Sequence, residues 1–394
     1  MAISLPEMAN NAEGARINPL VAATIGGRRL AALDWMRGIV MLLMAVDHSS
    51  GEFNAGRLIT DSALFYKPGM PLPALQFITR WITHLCAPTF VFLAGVSLAL
   101  SLGTRRERGE SSASIDRHLL VRGVIIVALE VVPSYFWMPP GKYLAQVLYA
   151  IGTAYLLMIP LRRLPVPVLL ALAITCLVFG EALIGIAGWS PPNKPPLLAI
   201  LLLAAGSRGW FIVAYPTLPW LAILLLGWGF GHALRHQTDA GKLRPRRLLS
   251  SGIILIAIFA VVRGANAYGN MNLPRESGSV VQWLHVSKYP PSITFVALEL
   301  GIMAIMLALL ARIARNSEPR HNNPLVVFGQ TPLFFYILHI PLLALLAHAL
   351  GAEHRFGLGA AYGFAALSAL ILLPLCSWYR RYKAAHRTSF TRYF

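Results

Sequence analysis

Apolar residues recur along this chain in windows of about 18–25, the length a helix needs to cross a hydrocarbon core of about 30 Å. Ten such windows can be drawn, near residues 30–48, 81–102, 118–137, 143–161, 166–187, 216–234, 248–266, 292–313, 326–349 and 358–378. Polar, Pro-rich and Gly-rich stretches separate them. The pattern predicts an all-α protein, a polytopic integral-membrane bundle of about ten transmembrane helices over residues 30–378. Residues 1–29 are polar and without periodicity and read as a flexible tail, and 379–394 read as a second, basic tail. The apolar piece 197–205 is too short to span and reads as a surface-lying or re-entrant helix.

Composition supports this picture. Of 394 residues, 56% are hydrophobic and 13% charged, with a mean hydropathy of +0.61, where soluble domains carry about 25% charged residues. The net charge of +18 could suggest nucleic-acid binding, but its distribution argues otherwise. Lys and Arg crowd the two tails and alternate connections, such as Arg105, Arg106 and Arg108, or Arg235, Arg244, Arg246 and Arg247. By the positive-inside rule both termini then face the cytoplasm, which an even number of spans permits. No apolar core with a cleavage site precedes the first window, so no signal peptide is expected. Cys86, Cys176 and Cys376 lie in apolar segments without metal-ligand spacing and read as small packing residues. The long non-cytoplasmic segments 49–80, 188–215 and 267–291, rich in Pro, Gly and aromatics, read as ordered caps.

The first window departs from the apolar rule. It carries Asp34, Arg37, Asp47 and His48, although a charge near mid-bilayer costs roughly 2.5–3.5 kcal/mol on insertion scales. At 100° per residue, Asp34, Arg37, Met41, Met44 and His48 share one stripe, with Arg37 and His48 about 16 Å apart along the axis. His48 at the outer end is a candidate general base or transient acyl carrier. Arg37, nearer the cytoplasm, is a candidate for steadying an anionic donor. Asp47 joins them as a catalytic candidate, although it lies about a quarter-turn from His48. The plainer reading makes Arg37 an i,i+3 partner of Asp34 and His48 an interfacial residue. Arg80 and His84 open the second window four residues apart. Lys288 and Tyr289 stand at the mouth of the eighth, and Tyr336 and His339 lie inside the ninth. Anchoring or substrate binding are the alternatives for Arg80, His84, Lys288 and Tyr289; for His339 they are a hydrogen bond to a neighbouring helix or a role at or behind the acceptor site. Arg122, Glu130, Arg263 and Glu299 are further ionisable groups within spans, for which interhelical arginine–carboxylate pairs are expected; Arg122 sits where a phosphate from the cytoplasm could reach it. No phosphate-binding glycine loop, H-E-x-x-H or Cys/His cluster is present, so no metal is expected.

The R-x10-H spacing of Arg37 and His48 resembles the first span of acyltransferase-3 type membrane enzymes. The wider chain is more similar to the heparan-alpha-glucosaminide N-acetyltransferase catalytic-domain family and its bacterial members. The pieces that carry the resemblance are L-D-W-M-R-G-I-V-M-L-L-M-A-V-D-H (33–48), T-R-W-I-T-H-L-C-A-P-T-F-V-F-L-A-G-V-S (79–97), Y-P-T-L-P-W-L-A-I-L-L-L-G-W-G-F-G (215–231), S-K-Y-P-P-S-I-T-F (287–295) and F-G-Q-T-P-L-F-F-Y-I-L-H (328–339). The resemblance implies acetyl-CoA as acyl donor from the cytoplasm, the side on which the residues themselves place Arg37 and Arg122. It implies an acceptor on the far side, His48 as the catalytic histidine, and a role for Lys288 and Tyr289 in shaping the acceptor site; the acceptor is read as an amine or hydroxyl of an extracytoplasmic glycan, with Arg80, His84 and His339 as further candidates near it. The lysosomal members carry Asn at the place of Arg37. A bacterial inner membrane suits the charge bias; membrane lipid is the expected surrounding partner, and self-association is left open. The rival reading is a secondary transporter or glycan exporter that uses Arg37 and His48 as a substrate or proton relay.

Overall fold

The structure, a computed structural model, describes residues 19–191, 193–236, 243–316 and 322–386. Residues 1–18, most of the expected N-terminal tail, lie outside the described residues, as do 387–394. The first helix, α1 (Pro19–Phe53), already begins within the stretch expected to be a tail. It is followed by α2 (Ala74–His84), α3 (Cys86–Glu107), α4 (Ser112–Leu129), α5 (Val131–Trp137), strand β1 (Tyr143–Ala145), α6 (Val147–Leu161) and α7 (Val166–Ile186). Then come α8 (Leu197–Leu202), β2 (Gly206–Arg208), β3 (Phe211–Val213), α9 (Thr217–Arg235), α10 (Pro245–Ala265), α11 (Val280–Leu284) and α12 (Ile293–Asn316). The chain ends with α13 (Pro324–Gln330), α14 (Pro332–Ala349) and α15 (Leu358–Ala385), the last running into the expected C-terminal tail.

The protein is an all-α polytopic membrane bundle. Among the described residues, eight helical segments are long and apolar enough to cross a membrane, where ten were expected. The other two expected spans are helical but depart from that criterion for physical reasons. α1 carries the four polar groups that set it apart in the sequence, and α6 has 15 residues, which gives a length of about 22 Å. A small sheet of order β1-β3-β2 precedes α9, with β1 parallel to β3 and β2 antiparallel to it. It was not expected, because three-residue strands leave no alternation to read.

Three of the expected spans are broken helices, and proline specifies each break. A helical proline cannot donate to the carbonyl four residues back and clashes with it. Pro88 does this at His84, where α2 gives way to α3, and Pro133 at Leu129, where α4 gives way to α5. Pro332 at the start of α14 disfavours helical geometry at Thr331 (φ −126°, ψ 40°), which separates α13 from α14. Polar residues sit beside each break: His84, Glu130, and Gln330 with Thr331. Irregular backbone at membrane depth is tolerated where protein buries it, so the breaks turn inward.

α1 runs through the centre and packs against α2, α3, α12, α13, α14 and α15. Its approach to α13 is close enough that a Cβ on Gly38 would collide with the Leu325 carbonyl, and one on Gly329 with the Asp34 carbonyl. These two glycines let backbone meet backbone, as small residues do between membrane helices.

The expected arginine–carboxylate pairs of Arg122, Glu130, Arg263 and Glu299 do not form among the described residues. Arg263, fully buried, donates to Asn270 Oδ1 and to the carbonyls of Leu273, Trp283, Gln282 and His285. Glu130 accepts from the Tyr149 backbone N–H at 2.7 Å and so caps the start of α6. Loop carbonyls and helix-start amides supply the partners that a sequence-only reading assigns to opposite charges. Arg122 lies over the Tyr155 ring instead, and Glu299 Oε1 has no hydrogen-bond partner among the described residues.

Gly38→Ala is expected to lower stability by about 1–3 kcal/mol through overpacking at the α1–α13 crossing, seen as a reduced midpoint of thermal unfolding in detergent. An unchanged midpoint would mean that the crossing is looser than described.

Candidate functional site

α1 presents its polar stripe to three separate surroundings. At the Lys- and Arg-rich end, Arg37 donates to Asp34 Oδ1 at 2.7 Å and to Ser97 Oγ of α3 at 2.8 Å. Gln330 Nε2, at the end of α13, donates to the other Asp34 oxygen at 3.0 Å. The i,i+3 pair is therefore present. It does not consume Arg37, which also lines a cavity of about 330 Å³ together with Arg122 of α4 and Lys383 of α15. The Arg122 Nε is buried with no hydrogen-bond partner among the described residues. Phe90, Ile126, Ile151 and Phe334 give the cavity apolar walls. Asp34 also lines the space, so three cations against one carboxylate leave a net positive lining with apolar walls, which suits an anionic ligand that has an apolar or slender part.

Eleven residues further along α1, His48 Nδ1 lies 2.7 Å from His339 Nε2 of α14. The His48 ring meets Trp137 of α5 edge-on, with centroids 4.6 Å apart, and faces Tyr336 at 6.2 Å. Trp137 in turn donates its indole N–H to Glu52 Oε1 at 3.1 Å, which fixes the ring that flanks His48. Met41 and Met44, both buried, occupy the same stripe between Arg37 and His48. His48 is not among the residues lining the cavity.

Asp47 turns away from His48 into a third surrounding at the outer end. Arg80 of α2 contacts Asp47 Oδ1 at 2.5 Å and also holds Asp61, whose Oδ2 accepts from Arg80 Nε at 2.8 Å. Arg57 reaches Asp47 at 3.2 Å, and Thr83 donates to it at the same distance. His84 Nε2 lies 3.3 Å from Asp61 Oδ1. Burial by itself would raise the carboxyl of Asp61, in the loop between α1 and α2, but Arg80 and His84 hold it well below the ordinary range. The Lys288 backbone N–H donates to the Asp61 carbonyl at 2.8 Å. Its ammonium lies 5.2 Å from the Tyr289 ring centroid and 6.0 Å from that of Tyr215. Arg80 also approaches the Tyr289 hydroxyl, at 3.4 Å. The loop residue His285, pulled down by burial, is tied at 2.8 Å between its Nε2 and the Thr60 carbonyl, closing the cap over this cluster.

The structure thus brings together Arg37 with Arg122, His48 with His339, and Asp47 with Arg80, His84, Lys288 and Tyr289. It separates Asp47 from His48 as hydrogen-bond partners. Sequence reasoning missed Ser97, Gln330, Lys383, Trp137, Arg57 and Asp61 as members of these groups. Gln330 could have been found from its place before a helix-breaking proline. Asp61 carries no local signal at all, because its role arises only when the first outer loop folds back over α2.

Residues 29–262 match the family described as heparan-alpha-glucosaminide N-acetyltransferase, catalytic; more than half of the chain is covered, and the chain belongs to that family. Its general character is therefore that of a membrane acetyltransferase. Compared with curated proteins, the chain has no significant match. Among the described residues, no group of three or more His, Cys, Asp and Glu side chains lies together as a metal site would require.

Arg80→Leu leaves two buried carboxylates without their shared cation and is expected to cost about 3–5 kcal/mol, measured by thermal unfolding. Adding Asp61→Asn should restore part of that loss, whereas two additive losses would show that the groups are not coupled. The pH dependence follows the same logic. The Asp61 carboxyl is depressed in the folded protein, so its contribution is present above the usual carboxylate pKa of about 4 and is lost only as pH falls through the lower folded value. The midpoint of unfolding should therefore decline as pH falls below about 4, and less steeply in Asp61→Asn.

Proposed function

We propose that the protein moves an acetyl group from cytoplasmic acetyl-CoA to an amine or hydroxyl of an extracytoplasmic sugar or glycoconjugate, in a bacterial inner membrane. The observation that carries this reading is the cavity lined by Arg37, Arg122 and Lys383 on the helix that bears His48 eleven residues on. CoA is heavily charged and cannot cross lipid, whereas its acyl arm is slender and neutral. Cations at the mouth suit the phosphates of the donor, and the apolar walls suit the arm, which must pass Met41 and Met44 to bring its thioester to His48. There the acceptor nitrogen or oxygen attacks the thioester carbonyl and the C–S bond breaks. His48 takes the acceptor's proton and passes it to the departing thiolate. In the two-step form His48 first receives the acetyl group itself and the acceptor then removes it. The cluster of Arg80, His84, Lys288 and Tyr289 at the outer end suits hydroxyl-rich acceptors, which need both donors and acceptors of hydrogen bonds.

The test is release of CoA from radiolabelled acetyl-CoA by purified protein, with an amino sugar such as glucosamine as acceptor. Arg37→Ala and Arg122→Ala each remove a hydrogen-bonding charge, worth about 1.5–3 kcal/mol, and should raise the KM for acetyl-CoA by about tenfold or more. His48→Ala should lower kcat by about 10²–10⁴-fold. Undiminished turnover in His48→Gln would exclude the histidine mechanism, and substrate counter-flow without CoA release would favour the transporter instead.

A further inference from the structure

The histidine pair carries more information than the presence of two imidazoles. His339 Nδ1 lies 3.0 Å from the Phe335 carbonyl oxygen. A carbonyl only accepts, so that nitrogen bears the proton. A neutral imidazole carries one N–H, and its other nitrogen is then an acceptor. His339 is fully buried and stacked on Phe335 at 5.0 Å, and no carboxylate hydrogen-bonds to either ring among the described residues. In such surroundings the ring is neutral, because burying an uncompensated charge is costly. Its Nε2 therefore accepts, and the nitrogen that faces it, His48 Nδ1, must donate. The ring geometry agrees: centroids 4.9 Å apart, 17° between planes and 2.7 Å between nitrogens describe an in-plane hydrogen bond.

We infer that His339 is a positioning residue that fixes His48 in the Nδ1–H tautomer and leaves His48 Nε2 as the nitrogen with a free lone pair. This rests on the acetyl-transfer reading only for its consequence. If His48 is the base or the acyl carrier, Nε2 is the reacting nitrogen, and the Phe335 carbonyl at the far end of the relay decides which one it is. His48 Nε2 makes no hydrogen bond among the described residues, and the residue keeps some exposure, as a reacting atom requires. His339 touches neither donor nor acceptor in this account. It works through His48, much as a third group orients the base in other nucleophile–base pairs. Residues 335 and 339 are one turn apart, so the relay needs no loop to position it.

The conservative variant is His339→Gln, whose amide oxygen can take the place of Nε2 and accept from His48 Nδ1–H. His339→Leu removes the acceptor at similar volume. Three proteins are compared with wild type in full-length, detergent-purified form: His339→Leu, His339→Gln and His48→Ala. For acetyl-CoA turnover, His339→Leu should lower kcat by about 100-fold with the KM for acetyl-CoA within about twofold, and His339→Gln should recover most of the loss. A purely structural role would instead lower the amount of folded protein and leave Leu and Gln alike. Wild-type kinetics in His339→Leu, beside an inactive His48→Ala, would overturn the relay and leave the acetyl-transfer reading standing. Should wild type itself consume no acetyl-CoA, that reading fails and the relay is read by chemistry. Ethoxycarbonylation of His48 by diethyl pyrocarbonate, followed by peptide mass spectrometry, should slow at least about threefold in His339→Leu and recover in His339→Gln. Equal rates in all three proteins that carry His48 would contradict the relay.

Discussion

Everything in this structure answers to one constraint: between residues 33 and 48, a helix in the middle of a membrane bundle carries two aspartates, an arginine and a histidine, and each must find a partner away from lipid. Asp34 and Arg37 satisfy one another with help from Ser97 and Gln330. His48 finds His339, and Asp47 finds Arg80, Arg57 and Thr83. No single neighbour could supply all of these, so α1 must be surrounded. That is why six helices close around it and why one of them, α13, meets it at glycines. The buried polar groups do not make the fold stable in themselves, since a buried ion pair seldom outweighs the cost of desolvating it. They specify which helices go where, because a wrong register would strand a charge in hydrocarbon.

The same constraint divides the polar stripe into compartments. Proline breaks in α2/α3, α4/α5 and α13/α14 place His84, Glu130 and Thr331 at inward corners, where unwound backbone and side chains meet. Along α1, the buried Met41 and Met44 lie between Arg37, which lines the cationic cavity, and the hydrogen-bonded His48, which does not. Met is the side chain best suited to this position, being apolar, unbranched and able to change rotamer without leaving a fixed hole. Asp47, adjacent to His48 in sequence, serves the outer cluster and not the imidazole. The family's general function is membrane acetyl transfer.

Much of the architecture could be read from sequence because hydropathy leaves few choices in a membrane. The all-α bundle, the polar first helix and the pairing of Arg80 and His84 with its outer end follow from periodicity and from the cost of buried charge. Arg37 and Arg122 were each expected on the donor side, and both line one cavity. What stayed hidden has a common cause. Glu130 and Arg263 were matched with opposite charges, but the structure satisfies them with backbone, which sequence does not display. Asp61 and Arg57 entered the outer cluster through loop folding, where no periodicity applies. The proline breaks were visible as residues, yet a continuous apolar window conceals them; the α2/α3 break lies inside a run that reads as one span. The sheet formed by Tyr143–Ala145, Gly206–Arg208 and Phe211–Val213 is too short to leave a pattern.

The most direct test of the account is sidedness. Protein reconstituted in sealed vesicles, with its Lys- and Arg-rich face inward, would be loaded with radiolabelled acetyl-CoA and bathed outside in an amino sugar that cannot cross lipid. The account predicts labelled N-acetyl sugar in the outer medium, CoA accumulating in the lumen, and neither in vesicles that carry His48→Ala. Label that reaches only sugar enclosed with the acetyl-CoA, or an outer product formed equally well without His48, would contradict it.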